Sequence, residues 1–400
     1  MNLNKLILSF FLLVALPVIA WAQHYTVVVS LDGFRDDYTR SFSTPFMDSL
    51  ASKGVSATMQ PSFPSKTFPN HYTIATGLVP DHHGIIANKF MDKASGVTFA
   101  LGQQTSMDPR FWGGEPIWNT ATRQGLKTGV VYWPGSDVAI GGHYPTYYHN
   151  YMKKPLLSYA QRLAEVARLL SLPLTDRPRL VMLYFDEPDH TGHSFSPFSK
   201  ETRRQVEHMD GMLQELYNTL QTLPVSDSVN LIVLSDHGMA PVDAAHQVNI
   251  SDYVKPEWVE RMQVDLPTHI WPRKGCEKLL LKALAGMPHV KVWHKAEVPA
   301  YLQYGANANI GDIVVNPDCG WLLTERVVVR EGTRGTHGFD PTCFDMQVPF
   351  RAVGPDFKRG YRKPQVFQNT NVYPLLCHLL GIEPAPCDGC LDQVKDMLAR

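Results

Sequence analysis

Apolar runs of strand length alternate along this chain with segments in which apolar residues recur every three or four positions. Tyr25–Leu31, Lys127–Trp133, Leu180–Phe185, Leu231–Leu234 and Val348–Val353 are near-continuous hydrophobic runs, the pattern of strands buried on both faces of a parallel sheet. Leu156, Leu157, Ala160, Leu163, Ala164, Ala167 and Leu170 mark one amphipathic helix, and Val206, Met209, Leu213, Leu216 and Leu220 a longer one. Further helices are expected over Phe46–Lys53, stopped by Gly54, and Val372–Leu380, capped by Gly381. Tyr144–Tyr151 is aromatic, turn-rich and too polar for core. Strands alternating with helices predict an α/β fold with a largely parallel sheet flanked by helices. Residues 240–332 break the rhythm, with short strands such as Lys291–Trp293 and Asp312–Val315, and read as an insertion over the sheet. No linker separates it, so 23–400 is expected to be one domain.

The strand ends carry the chemistry. Three of these strands run into an acid, at Asp32, Asp189 and Asp236. In open α/β sheets the ligand crevice lies outside the carboxyl ends of the strands, so the three carboxylates should converge. Asp236 is followed by His237, Asp189 precedes His193 by four positions, and Gly332–Asp340 is a glycine-rich loop holding His337. Between them sits Phe63-Pro-Ser-Lys-Thr-Phe-Pro-Asn-His-Tyr72, which places Thr67 as the N-cap of a helix with Pro69 in its first turn and Gly77 at its end. A hydroxyl there lies at the positive end of the helix dipole, where developing negative charge or a phosphate is stabilised. Taken alone, a strand-end Asp is a turn former and a Thr a cap. Together they form a set of oxygen and nitrogen ligands without thiolate, which suits Zn²⁺ best, with Mn²⁺ the alternative. Six protein ligands exceed what one catalytic zinc needs, so two metals about 4 Å apart fit better.

Composition narrows the setting. With 400 residues and 44% hydrophobic content the chain can build a large core, while a formal charge of −1 and no Lys/Arg run argue against a nucleic-acid or anionic-membrane footprint. Lys5, the apolar Leu6–Ile19 stretch and Ala20-Trp21-Ala22 form a signal peptide over 1–22, giving a mature start at Gln23 and a periplasmic or secreted product. The run is short for a spanning helix. Cys276, Cys319, Cys343, Cys377, Cys387 and Cys390 all lie in the last third, and an even number in an exported chain reads as disulfides whose pairing the sequence leaves open; for Cys387-Asp-Gly-Cys390 a structural disulfide fits better than zinc or redox chemistry.

Leu31-Asp-Gly-Phe, the Phe63–Tyr72 segment, His83-Gly-Ile-Ile-Ala-Asn88, Glu187-Pro-Asp-His-Thr-Gly-His193, Leu234-Ser-Asp-His-Gly-Met239 and Thr336-His337-Gly together resemble the nucleotide pyrophosphatase/phosphodiesterase family of the alkaline phosphatase superfamily. The similarity runs from about Tyr25 to Pro386 and fits a bacterial single-domain exported member. It implies an alkaline-phosphatase-like core with one zinc on Asp32, Asp236, His237 and Thr67, and another on Asp189, His193 and His337. Thr67 would be the nucleophile that forms a covalent phospho-threonine, because metal coordination lowers the pKa of a hydroxyl. The resemblance further implies that Asn88 donates to a phosphoryl oxygen alongside the Phe68 N–H. Phe68 and Tyr151 would clamp the base, Tyr184 would line the sugar side, and Leu101 would belong to an apolar pocket.

Asp186 stands where many relatives carry Glu, His190 is a second choice as ligand, and no Lys accompanies Ser106. The last point weakens ATP as the preferred substrate. The expected reaction is hydrolysis of nucleotide diesters and pyrophosphates to nucleoside 5′-monophosphates. Glycerophosphodiesters, lysophospholipids or phosphomonoesters are the alternative substrates, although a monoester dianion wants more positive charge than the neutral Asn88 amide offers. A silent zinc-binding or adhesion protein is the reading from another class.

Overall fold

The side chains of β1, Tyr25–Leu31, divide between two cores: Val27, Val29 and Leu31 face one, Val28 the other. The computed structural model describes residues 24–326 and 332–399, so the expected signal peptide and Gln23 lie outside the described residues. Among these, a nine-stranded sheet also contains β2 (Val55–Gln60), β3 (Thr128–Val131), β4 (Tyr147–His149), β5 (Leu180–Phe185), β6 (Val229–Leu234), β7 (Val348–Val353), β8 (Tyr361–Arg362) and β9 (Phe367–Gln368). Its order is β8-β2-β7-β6-β1-β5-β3-β4, with β9 also paired to β2. All pairings are parallel except those of β7, which runs antiparallel to both β2 and β6. The sheet is therefore mixed and largely parallel, and β1, β5 and β6 point their carboxyl ends the same way.

Helices cover both faces. On the Val27 side lie α1 (Pro45–Lys53), α3 (Tyr159–Leu170) and α5 (Lys200–Gln221), and on the Val28 side α2 (Thr67–Thr76) and α6 (Val372–Leu380). Helix α3 starts at a Ser158/Gln161 capping box, so Leu156 and Leu157, expected inside it, precede it and pack against the core from outside the helix. The Tyr144–Tyr151 stretch contributes the edge strand β4. Polar residues are tolerated there because an edge strand keeps one side in water.

The region expected to be an insertion has a four-stranded sheet of its own. Val259–Gln263, Thr268–Pro272, Ile313–Pro317 and Val290–His294 pair antiparallel in that order over a small core containing Ile270, Leu280 and Val315. Of the cysteines, Cys319 and Cys343 are bonded, whereas Cys276, Cys377, Cys387 and Cys390 are free thiols. The expectation that the six cysteines form disulfides is thus corrected for these four: at Cys387-Asp-Gly-Cys390 the Cys390 N–H is held by Asn371 Oδ1 and the Cys387 thiol faces the Gly389 carbonyl.

Candidate active site

Asp32 follows β1 directly, and Asp236 and His237 follow β6 one step away in the sheet, so parallel pairing alone sets them side by side. Asp189 and His193 come from the end of β5, but on a short helix, α4 (Asp189–Phe195), rather than the loop expected. Their i,i+4 spacing puts both on one face of it. The Asp189 N–H donates to the Asp32 carbonyl at 3.0 Å, and Gly33 makes that approach possible. Gly33 has φ +69°, and a Cβ there would lie 2.8 Å from Asp189 Cβ. The loop carrying His337 is pinned by Arg334–Thr336, a short strand paired with Ala240–Val242.

Thr67 is the first residue of α2, with Lys66 in the cap position, which corrects the expected N-cap assignment. At this position the Thr67 hydroxyl is freed from capping duty. Its Oγ1 lies 3.1 Å from His237 Nε2, and the residue is 6% exposed.

The ring nitrogens fix the character of the site. His193, His237 and His337 each place Nδ1 at 2.8–2.9 Å from a backbone carbonyl, of Gly335, Gly238 and Ser65 respectively. A carbonyl only accepts, so each Nδ1 carries the proton and each Nε2 presents a lone pair. His337 Nε2 and His193 Nε2 are 3.1 Å apart, and Asp189 Oδ1 lies 3.4 Å from the latter and 3.6 Å from the former. His237 Nε2 is 3.0 Å from Asp236 Oδ2 and 3.4 Å from Asp32 Oδ1. Asp32 Oδ1, Asp189 Oδ1 and Asp236 Oδ2 are buried without a hydrogen-bond partner. Their other connections point away from the centre: Tyr184 donates to Asp32 Oδ2 at 2.7 Å, and the Gly33 N–H and Ser235 hydroxyl donate to Asp236 Oδ1 at 3.2 and 3.3 Å. Three carboxylate oxygens and three imidazole lone pairs therefore converge around the Thr67 hydroxyl. Such a set fits divalent cations, and the residues fall into two overlapping groups, Asp32/Asp236/His237 and Asp189/His237/His337, with His193 against the second.

Electrostatics show the same crowding. Burial, joined by the charges of Asp236 and Asp189, pushes the Asp32 carboxyl well above the usual carboxylate range. Burial also raises Asp189, against the pull of His193 and His237. At Asp236 burial acts upward, but His237 and His71 outweigh it and hold that carboxyl low. Burial depresses His237, and burial together with His237 and His193 depresses His337 further.

Beside these groups opens a cavity of about 350 Å³ lined by Thr67, Phe68, Leu101, Trp112, Trp133 and Tyr151 among others. Phe68 packs against Phe99 and Trp112 at ring distances of 6.0 and 5.8 Å, and Tyr151 stands edge-on to Tyr132 at 5.7 Å. Leu101 lies at the mouth, 45% exposed. His190 lines the cavity and belongs to neither ligand group. Tyr184 lines the cavity, and its hydroxyl donates to Asp32 Oδ2. One expectation needs correction. The Phe68 N–H is not free, because it donates to Asn88 Oδ1 at 2.9 Å, which leaves the Asn88 amide nitrogen as the available donor. One residue of the quoted segment went unassigned: His71 is fully buried, donates from Nδ1 to the Thr67 carbonyl at 2.9 Å and lies 3.3 Å from Asp236 Oδ2. The i,i+4 spacing from Thr67 to His71 was the available signal.

Residues 26–340 match the family model described as type I phosphodiesterase/nucleotide pyrophosphatase. The chain belongs to this family. Venom phosphodiesterase 2 of Crotalus adamanteus is 35% identical to this phosphodiesterase-family chain over 389 residues, 94% of the chain and 48% of the relative. Ectonucleotide pyrophosphatase/phosphodiesterase family member 3 of Mus musculus is 35% identical over 385 residues, 93% of the chain and 44% of the relative. The chain thus spans about half the length of these curated relatives. Murine ectonucleotide pyrophosphatase/phosphodiesterase 5, solved in an inactive form in complex with AMP, superposes with a TM-score of 0.88 at 33% identity. That likeness covers 94% of this chain and 100% of the other. The family fold is the α/β, alkaline-phosphatase-like architecture expected from the sequence. Among the described residues no helix of this family member is long and apolar enough to cross a membrane.

Proposed function

We propose that this chain hydrolyses nucleotide phosphodiester and pyrophosphate bonds, releasing nucleoside 5′-monophosphates, with Thr67 as nucleophile. The observation that carries the reading is the convergence of unpartnered Asp32, Asp189 and Asp236 oxygens with three imidazole lone pairs around the Thr67 hydroxyl. Asp32, Asp236, His237 and Thr67 would hold one divalent cation and Asp189, His193 and His337 a second, zinc suiting these donors best and Mn²⁺ next. Bound there, the cations would lower the pKa of the Thr67 hydroxyl and offset charge on the phosphoryl oxygens.

The residues do the rest. Thr67 Oγ1 attacks phosphorus, the bond to the leaving oxygen breaks, and a covalent phospho-threonine remains. Water cleaves it, freeing the nucleotide and restoring the hydroxyl. The Thr67 carbonyl is tied to His71, which holds the first turn of α2 while its hydroxyl reacts. Asn88, oriented by the Phe68 N–H, donates from its amide nitrogen to a non-bridging oxygen. Phe68 and Tyr151 flank the cavity as stacking surfaces for a base, and the AMP bound to the murine relative supports a nucleotide as ligand. The expressed product is taken to be exported, its signal segment removed after Ala22.

The test compares hydrolysis of the nitrophenyl ester of TMP, nitrophenyl phosphate, ATP and glycerophosphocholine by one zinc-loaded preparation. The TMP ester should be turned over fastest, and acid quenching during turnover should trap label on Thr67. Preference for nitrophenyl phosphate or glycerophosphocholine, or full activity in Thr67→Ala, would refute the reading.

A further inference from the structure

Lys66 is a buried cation, 8% exposed, that the chemistry at Thr67 leaves unused. Its Nζ reaches Asp265 Oδ1 at 2.6 Å, in the turn between the insertion strands Val259–Gln263 and Thr268–Pro272. The Leu266 N–H donates to the same oxygen at 2.8 Å and fixes that carboxylate. On its way Lys66 passes over Gly338. A Cβ added there would lie 2.6 Å from Lys66 Cε and 2.8 Å from Leu266 Cβ, at a φ of +113°. The two segments are laced on either side of this crossing. His337 Nδ1 donates to the Ser65 carbonyl at 2.9 Å, and the Ser65 hydroxyl donates to the Phe339 carbonyl at 2.7 Å.

We propose that the Lys66–Asp265 pair is a strap through which the inserted module positions His337, and with it sets the cation affinity of Asp189, His193 and His337. The inference rests on the reading that these residues hold a cation. It is selective because the two carboxylates of the other group are anchored at the rim of the central sheet, away from the strap: Asp32 by Tyr184, and Asp236 by Gly33 and Ser235. Lys66 and Asp265 are positioning residues, acting on the metal set through the backbone of 337–339.

Zinc titrated into the metal-free full chain against a chromophoric chelator should show two bound ions. His193→Ala should lose one of them, which identifies the affinity that belongs to its group. In Asp265→Asn, which keeps the acceptor for the Leu266 N–H, that affinity should fall about 10–100-fold, the range for outer-shell partners, while the other changes less than about twofold. Asp265→Glu should recover part of the loss. Both affinities falling together, or neither moving, would overturn the strap. Lys66→Met should repeat the selective loss, and if it misfolds Asp265→Asn decides alone. A wild-type chain that binds no zinc would instead refute the cation reading itself.

Discussion

Tyr184→Phe separates a ligand-orienting role from a substrate-lining one. The change deletes one hydroxyl from a residue 7% exposed and leaves its ring in place, so no cavity larger than an oxygen atom results. That hydroxyl donates at 2.7 Å to Asp32 Oδ2, and Asp32 Oδ1 is the atom left facing the site. A hydrogen bond to a charged group contributes about 1.5–3 kcal/mol, which corresponds to roughly 10–150-fold in an equilibrium. Outer-shell partners of metal ligands typically cost about 10–100-fold in affinity or activity when removed. Zinc affinity, measured by chelator competition, should therefore fall about 10–100-fold in the variant. Turnover of the TMP nitrophenyl ester should recover at saturating zinc, with KM unchanged. Unchanged zinc affinity together with a raised KM for nucleotides would refute the argument and return Tyr184 to the sugar side.

Tyr151→Ala should raise KM for nucleotide esters about 5–150-fold, the equivalent of 1–3 kcal/mol of base stacking, and leave bis-nitrophenyl phosphate unaffected; equal effects on both would remove the base clamp. His83 is buried and neutral, its Nδ1 accepting from the Ile85 N–H at 3.2 Å, and burial lowers its pKa to about 3. A folded value below the unfolded one means that its contribution is complete above about pH 6.5 and is lost as pH falls toward 3, at about 1.4 kcal/mol per unit. The stability deficit of His83→Gln at neutral pH should therefore narrow on acidification, and a pH-independent deficit in denaturant unfolding would contradict this. Cys319→Ser opens the bridge to Cys343, which spans a sequence separation of 24, and should cost about 3 kcal/mol in the same assay. An unchanged unfolding midpoint would mean that the loop is held by packing alone.

Much of this architecture could be read from local pattern, and the reasons for the failures differ. Continuous apolar runs identified β1, β5, β6 and β7 because strands buried on both faces leave no polar alternation to confuse. The convergence of Asp32, Asp189 and Asp236 was legible because strand ends in a parallel sheet share one rim. Local chemistry misled where a side chain had two possible duties. Thr67 reads as a cap, but Lys66 takes that place and leaves the hydroxyl free. The even number of cysteines suggested bridges throughout, yet Cys319 and Cys343 alone are bonded, and the Cys387–Cys390 turn is held by the Cys390 N–H on Asn371 Oδ1. Long-range partnerships were out of reach altogether. Tyr184 and Asp32 are 152 residues apart, and Lys66 and Asp265 are 199 apart, so only the fold brings each pair together. His71 was missed for the opposite reason: its spacing from Thr67 was visible, but its burial against Asp236 was not.

The proposed reaction depends on two cations sitting beside Thr67. Anomalous diffraction at the zinc edge, from crystals of the full chain grown with zinc, measures that directly. Two peaks are expected, one coordinated by Asp32, Asp236, His237 and Thr67 Oγ1, the other by Asp189, His193 and His337. A single peak, peaks held by other residues, or a Thr67 hydroxyl turned away from both would contradict it.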